Sequence, residues 1–267
     1  NTEYIVNWFK NGYEIQNFKD ENGKVRSHNY NLDYIFKKGI TWNALSSSGT
    51  SFRYMEHSLF DNAGSSLFCI NNTNYNYLLG FLNSILPRTI LPIFNQGFNY
   101  QPGVIGRLPI NFDTALKEDI DTIVQLNISI SKSDWDAHET SWDFTQNKLL
   151  TLTPKSCQAI WEDYAYFFNT TIVMHQPYME SLEYRVNTYK TKWETQFYRL
   201  HSNEEELNRM FINIYGLQDE LTPDVPLNEV TILQQGEISI EKSEKLVWHD
   251  DVIIKQFISY LVGCFMG

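Results

Sequence analysis

Several things are scarce or missing in these 267 residues, and each absence removes a class of function. The three cysteines, Cys69, Cys157 and Cys264, are far apart and odd in number, and no CxxC pair occurs. A disulfide framework and a zinc ribbon are therefore excluded as organising principles, and buried free thiols in a reducing, cytoplasmic setting are expected. The longest uncharged apolar run near the end, FISYLVGCFMG, has 11 residues, too few to span a bilayer as a helix. No GxSxG elbow, no GxGxxG turn and no P-loop lysine motif is present. No Pro-Pro pair occurs anywhere. The first residue is Asn1 rather than Met, no secretory leader is read at the start, and the last helical pattern runs straight into Gly267. A fragment of a longer protein is expected. Without a leader, the glycosylation-type tripeptides at Asn71, Asn127 and Asn169 are read as chance matches.

What is present argues for a folded globular chain. Hydrophobic residues make up 42% and aromatics 15% of the sequence, ample for a core. The net charge of −11 at first disfavours nucleic acid, but its distribution is uneven. Residues 1–110 hold 9 Lys and Arg against 7 Asp and Glu, a net of +2; residues 111–267 hold 12 against 25, a net of −13. Only the first part is electrostatically suited to phosphates.

The local patterns divide at the same place. Up to Ile70 the chain reads as mostly β. Asn11-Gly12 is a hairpin signal, Asp20–Gly23 a second turn, and short strands are expected at Tyr34–Trp42, Ser51–Met55 and Leu67–Ile70, with Gly64-Ser65-Ser66 turning between the last two. An apolar helix through Leu78, Leu82 and Leu86 follows, ended or kinked by Pro87. Beyond it, Thr114–Thr122 reads as helix and the alternating Gln125–Ile130 as a strand. Ser133 with Asp136 resembles a capping box. Leu182, Val186, Tyr189, Trp193, Phe197 and Leu200 form an amphipathic stripe, and Asn203 with Glu206 resembles a second capping box. Gly216 is a natural helix stop, and Asp250-Asp251 open a last helix. The expected fold class is α+β: a mixed β-sheet domain with packed helices over 1–110, then a mainly helical, acidic region over 111–267.

Chemistry-bearing residues are few. The six histidines are scattered without metal spacing and are read as structural. Pro223-Asp224 lacks the acid-x-Lys partner of a metal-dependent nuclease. Asp134, Asp136, Glu139 and Asp143, with Trp135 and Trp142, could form a sugar or base site, but a capped helix docked by its tryptophans explains them more simply. In the first part, Lys24, Arg26, Lys37, Lys38, Arg53, Arg88 and Arg107 are interleaved with hydroxyls and amides, a pattern that suits a phosphate-facing patch and a solvated face equally. Of these, Arg26, Lys37, Lys38 and Arg53 are the candidates for phosphate contacts, while Ser47, Ser48, Thr50, Asn95 and Gln96 are candidates for reading base edges.

Several stretches together resemble one family. FKKGITW at 36–42, SSSGTSFRY at 46–54, YLLGFLNS at 77–84 and VIGRLPI at 104–110 are similar to the target-recognition domain of adenine-specific DNA methyltransferases. SKSDWDAHETSWDF at 131–144, NEEELNRMFINIYGLQDELTP at 203–223 and ISYLVGC at 258–264 resemble the C-terminal part of PglX-type enzymes of bacterial BREX phage defence. The resemblance implies a parent that transfers a methyl group from S-adenosylmethionine to the exocyclic amine of adenine in duplex DNA. The family's Asn/Asp-Pro-Pro-aromatic catalytic motif and Gly-containing cofactor motif are not in this chain, so the resemblance implies a recognition part without the chemistry and with no cofactor of its own. Pro87 and Pro92 depart from the family pattern after NSIL. The implied partners are double-stranded DNA, an upstream methyltransferase domain of the same chain and other defence-system subunits, with no membrane. The alternative is a protein-interaction module that binds no nucleic acid.

Overall fold

The computed structural model describes residues 6–27, 31–46, 49–61, 63–71, 74–171, 181–241 and 245–267. Ser47 and Ser48 lie outside these described residues. The fold is α+β, with two small antiparallel sheets and a predominance of helix. Among the described residues no single helix is long and apolar enough to cross a membrane. The chain divides into two compact units. One comprises residues 1–75 and 90–108, the other residues 76–89 and 109–267.

The first unit is built on a three-stranded antiparallel sheet in the order β2-β1-β3, with β1 at Gly39–Asn43, β2 at Phe52–Met55 and β3 at Gly64–Leu67. The period-2 geometry of a strand sorts its side chains. Ile40, Trp42 and Phe52 turn to one face and are buried. Thr41, Arg53 and Ser66 stand in one cross-strand row on the other face. Two further segments close over the apolar face. Trp42 Nε1 donates to the Tyr100 carbonyl at 2.7 Å. Tyr75 Oη donates to the Lys38 carbonyl at 2.7 Å and accepts from the Cys69 amide at 3.0 Å. These bonds fasten the start of β1 and the turn after β3 to one phenol.

Two local expectations change here and one holds. The Asn11-Gly12 turn exists, but it joins no strands. It interrupts a short helical segment, α1 (Phe9–Gln16), in which Lys10, Asn11 and Gly12 take left-handed backbone angles with φ of 50°, 58° and 73°. The Asp20–Gly23 turn does close an antiparallel bridge, Lys19 with Val25, and Asp20 Oδ1 accepts from the Asn22 and Lys24 amides at 3.0 and 2.9 Å. Gly64-Ser65-Ser66 is not a turn but most of β3. Its small residues fit an edge strand whose neighbour β1 carries the bulky side chains, and Ser65 is buried opposite Trp42.

The second unit is organised around α7 (Leu182–Tyr215), 34 residues long. Val186, Tyr189, Trp193, Phe197 and Leu200 are buried, together with Leu149, Leu152, Cys157, Val230, Ile232 and Ile253. The stripe therefore packs within the molecule, although its first member, Leu182, is exposed. Further along, Phe211 stacks edge-on against Tyr77 and Phe81, with centroids 5.4 and 5.7 Å apart. Tyr77 and Phe81 belong to α2 (Tyr75–Asn83), which gives way at Ser84 to α3 (Ile85–Phe94). The break falls before Pro87, which then sits in the first turn of α3, where its missing N–H costs no helical bond.

Other helices differ from their sequence signals for tertiary reasons. Gln125–Ile130 is not a strand. It continues α5 (Lys117–Trp135), because Ile120 and Val124 lie one turn apart on a buried face. Ser133 with Asp136 ends α5 rather than opening a helix. Asn203 with Glu206 does not restart one either: α7 runs through both, and Asn203 Nδ2 donates to Asn127 Oδ1 of α5 at 2.7 Å. Gly216 stops α7 in the left-handed conformation with φ 66°. The short helix α4 (Pro102–Ile105) belongs to the first unit; α6 (Pro154–Phe167), the β4–β5 hairpin (Ile238–Ile240, Leu246–Trp248) and α8 (Asp250–Met266) complete the second. Of the three free thiols, Cys157 is buried as expected, whereas Cys69 is half-buried and Cys264 is exposed.

Candidate nucleic-acid interface

The candidate residues described all lie in the first unit, within or near its sheet. Arg53 is exposed on β2 and donates to Asn43 Oδ1 of β1 at 2.6 Å. Asn43 is a neutral partner, so the guanidinium is oriented without being neutralised. Thr50 Oγ1 reaches the Asn43 carbonyl at 3.5 Å, and Ser46 Oγ donates to the Gly49 carbonyl. Thr50 is thus brought back to the end of β1. Asn43, Thr50 and Arg53 come together there.

Lys37 and Lys38 precede β1. The Lys38 ammonium lies 5.0 Å from both the Tyr54 and the Tyr75 ring centroids, and Lys37 lies 5.3 Å from that of Tyr34. Cation–π contacts of this kind fix a charge in place while leaving its N–H donors free to find an anion. Beside them, burial pushes the Tyr54 phenol up, reinforced by its hydrogen bond to Glu56 at 2.7 Å. Arg26 is exposed and only loosely paired, 3.9 Å from Asp20. Asn95 Nδ2 is spent on the Gly97 and Asn99 carbonyls at 2.9 and 3.2 Å, closing its own loop, while Gln96 is exposed. Arg107, a member of the basic patch, stacks its guanidinium 4.5 Å from the Phe94 centroid, whereas Arg88 of the same patch belongs to the second unit and pairs with Glu229. Among the described residues, Lys37, Lys38, Arg53 and Arg107 have no carboxylate partner within ion-pair distance.

The cluster around Asp134 in the second unit does not form a catalytic pocket. Lys132 bridges Asp136 and Asp143 at 2.8 and 2.7 Å. Hydrogen bonds from Lys132 and Ser141 overcome partial burial and hold the Asp136 carboxyl low. Glu139 accepts from Ser259 at 2.9 Å. Trp135 and Trp142 are both exposed. The carboxylates therefore point to separate partners, which removes the sugar-site reading; the two indoles do not dock as the simpler reading expected.

Beneath that surface lies an arrangement no local pattern announces. His138 Nε2 meets Glu237 Oε1 at 2.5 Å, and His138 Nδ1 meets the Asp134 carbonyl at 2.8 Å. Both side chains are buried. A carbonyl and a carboxylate are both acceptors, so this setting favours a ring that donates from both nitrogens, the imidazolium. Burial opposes that charge, but the Glu237 hydrogen bond prevails and raises the His138 pKa. Gln256 donates to the same Glu237 oxygen at 2.8 Å, and the Gln235 amide to the other at 3.0 Å. Both oxygens of the buried carboxylate are engaged, which is how a structural ion pair looks. Burial lifts the neighbouring Asp134 carboxyl to about 6. Among the described residues no group of three or more His, Cys, Asp or Glu could hold a metal ion.

Comparison with known proteins decides the family. No family model matches the chain. An adenine-specific methyltransferase PglX of Lacticaseibacillus casei (strain Zhang) is 34% identical over 272 aligned positions, covering all of this chain and 20% of the relative. The chain is a segment of the PglX/BrxX methyltransferase family. An adenine-specific methyltransferase BrxX of Escherichia coli O9:H4 (strain HS) is 28% identical over 274 positions, again across the whole chain and 20% of the relative. The chain thus spans about a fifth of the length of these PglX and BrxX relatives.

Proposed function

We propose that this segment is the DNA-recognition part of an adenine-specific (N6) DNA methyltransferase of the BREX or restriction-modification type, and that the methyl-transfer chemistry belongs to another part of the parent protein. Residues 1–110 would face duplex DNA, and residues 111–267 would brace the methyltransferase domain or other defence subunits in the cytoplasm. S-adenosylmethionine would bind the parent's catalytic domain; the segment carries no motif for it.

The observation that supports this reading best is the contrast in how charge is used. In the first unit, one ion pair is found among the described residues, the long Arg26–Asp20 contact. In the second, seven of the twelve described Lys and Arg residues (Arg88, Lys117, Lys132, Lys190, Arg199, Arg209 and Lys255) are engaged by carboxylates, against one of eight in the first. Cations left without internal partners, yet held on aromatic rings or an amide, suit a polyanion that supplies the missing charge. An enzyme that must extrude one adenine from a duplex needs such a module to deliver its active site to the target.

The test is binding of labelled duplex DNA as salt is varied. Lys37→Ala, Lys38→Ala and Arg53→Ala together should weaken binding and flatten its salt dependence. The protein-interaction alternative predicts no duplex binding even at low salt, and that result would remove the proposal.

A further inference from the structure

The segment 7–19 forms a groove of about 510 Å³ that the sheet-based interface does not use. Phe9, Tyr13 and Phe18 line it and are 73%, 64% and 62% exposed, and Lys10 and Lys19 sit among them. The volume falls within the range of about 300–1,000 Å³ typical of small-ligand sites. Three large rings in solvent within ten residues call for a physical reason. The backbone provides one. The left-handed run Lys10–Gly12 reverses the chain, and a left-handed residue other than glycine costs about 1–2 kcal/mol. Trp8 lies against Gly12, where a Cβ would come within 2.9 Å of its ring, and stacks edge-on with Phe36 at 5.5 Å. Trp8 is thus the anchor, which leaves the other rings turned outward. Side-chain amides tie the turn down: Asn17 Nδ2 donates to the Tyr13 carbonyl at 2.7 Å and Gln16 Nε2 to the Asn11 carbonyl at 2.6 Å. Glu14, the one carboxylate lining the groove, is held by Asn7 Nδ2 at 2.8 Å. Lys10 and Lys19 have no ion-pair partner among the described residues; the Lys10 ammonium lies 5.5 Å from the Phe9 centroid, over one face of that ring, which leaves the other face for a base.

We propose that this groove binds single-stranded DNA, stacking an unpaired base on Phe9 and Tyr13 while Lys10 and Lys19 contact its flanking phosphates. The inference rests on the DNA-facing reading of the first unit and deepens it. A methyltransferase that extrudes a base leaves unpaired nucleotides beside the duplex it reads. Aromatic rings flanked by cations are the sequence-tolerant way to hold such nucleotides, with each stacked base worth about 1–3 kcal/mol.

The test uses the 267-residue chain with a fluorescein-labelled single strand of mixed sequence and the matched duplex, followed by anisotropy. Phe9→Ala with Tyr13→Ala should weaken single-strand binding about tenfold or more and leave duplex binding within about twofold. Phe9→Leu with Tyr13→Leu keeps the apolar bulk but removes the π faces. It should show the same loss, which separates stacking from misfolding. Lys10→Gln with Lys19→Gln should lower the salt slope for single strands by about 0.7 for each phosphate no longer neutralised. Single-strand affinity unchanged by the ring substitutions, or absent from the parent chain, would overturn the proposal. Failure of the duplex reading alone looks different: duplex binding would be missing or insensitive to Lys37, Lys38 and Arg53, while single-strand binding still depended on Phe9 and Tyr13.

Discussion

The two units use the same charged residue types in opposite ways. In the second unit most cations lie against a carboxylate, several of them within one helical turn, as in Lys117 with Asp121 and Lys255 with Asp251. The His138–Glu237 pair is sealed from solvent. In the first unit Lys10, Lys37, Lys38 and Arg107 rest on tyrosine or phenylalanine rings and Arg53 on an asparagine amide. Exposed ion pairs add little stability individually, so the difference is not mainly about holding each unit together. It concerns what each surface has left to offer a partner: the second pairs most of its cations and keeps an excess of negative charge, while the first leaves nearly all of its cations without a carboxylate.

Breaking the buried pair should have the largest effect. His138→Ala or Glu237→Ala leaves an uncompensated charge inside the second unit, and urea unfolding followed by tryptophan fluorescence should show a loss of about 3–5 kcal/mol. Next comes Glu204, which burial, more than the neighbouring Glu229, lifts to about 7 against the pull of Arg88. A carboxyl raised above its unfolded value of 4.5 favours the protonated folded state, so stability falls as pH rises from there through about 7. Glu204→Gln should accordingly be neutral below pH of about 4.5 and stabilise by up to about 3 kcal/mol above about 7, read from melting temperatures across that range. A smaller change follows from close packing. Gly80 lets α2 approach α5, and an added Cβ would come within 2.8 Å of Val124 Cγ2. Gly80→Ala should destabilise by about 1–3 kcal/mol in the same urea assay. The smallest stability effect belongs to the first unit's cations. Replacing Lys37, Lys38 and Arg53 by Ala should cost about 1 kcal/mol or less, most of it from the cation–π contacts of Lys38. A large loss there would mean that these charges serve the fold and would collapse the contrast between the units.

Much of this was legible in the residues. The asymmetry of charge, the α+β class, the stripe along α7, the stop at Gly216 and the acid-led start of α8 all follow from composition and periodicity. What was missed has a common cause. Gln125–Ile130 has strand-like alternation but lies in α5, and Asn203 has the form of a helix cap but bonds across to Asn127, because partners distant in sequence decided both. The strand at Gly64–Leu67 was hidden by small residues that mimic a turn. The buried pair joins positions 99 residues apart and has no local signature. The left-handed run at Lys10–Gly12 was visible only as a turn signal at Asn11-Gly12; that it exposes three rings depends on Trp8 covering the glycine.

The central claim is that the first unit's unpaired cations meet DNA, and anisotropy of labelled duplex DNA with the 267-residue chain across a salt series tests it most directly. Binding should weaken steeply with salt. Replacing Lys37, Lys38 and Arg53 by Ala should reduce that slope by about 0.9 for each phosphate the variant no longer neutralises. Lys255→Ala or Arg209→Ala in the second unit should leave the slope unchanged. Binding that is absent at low salt, or that responds equally to cations of both units, would contradict the claim.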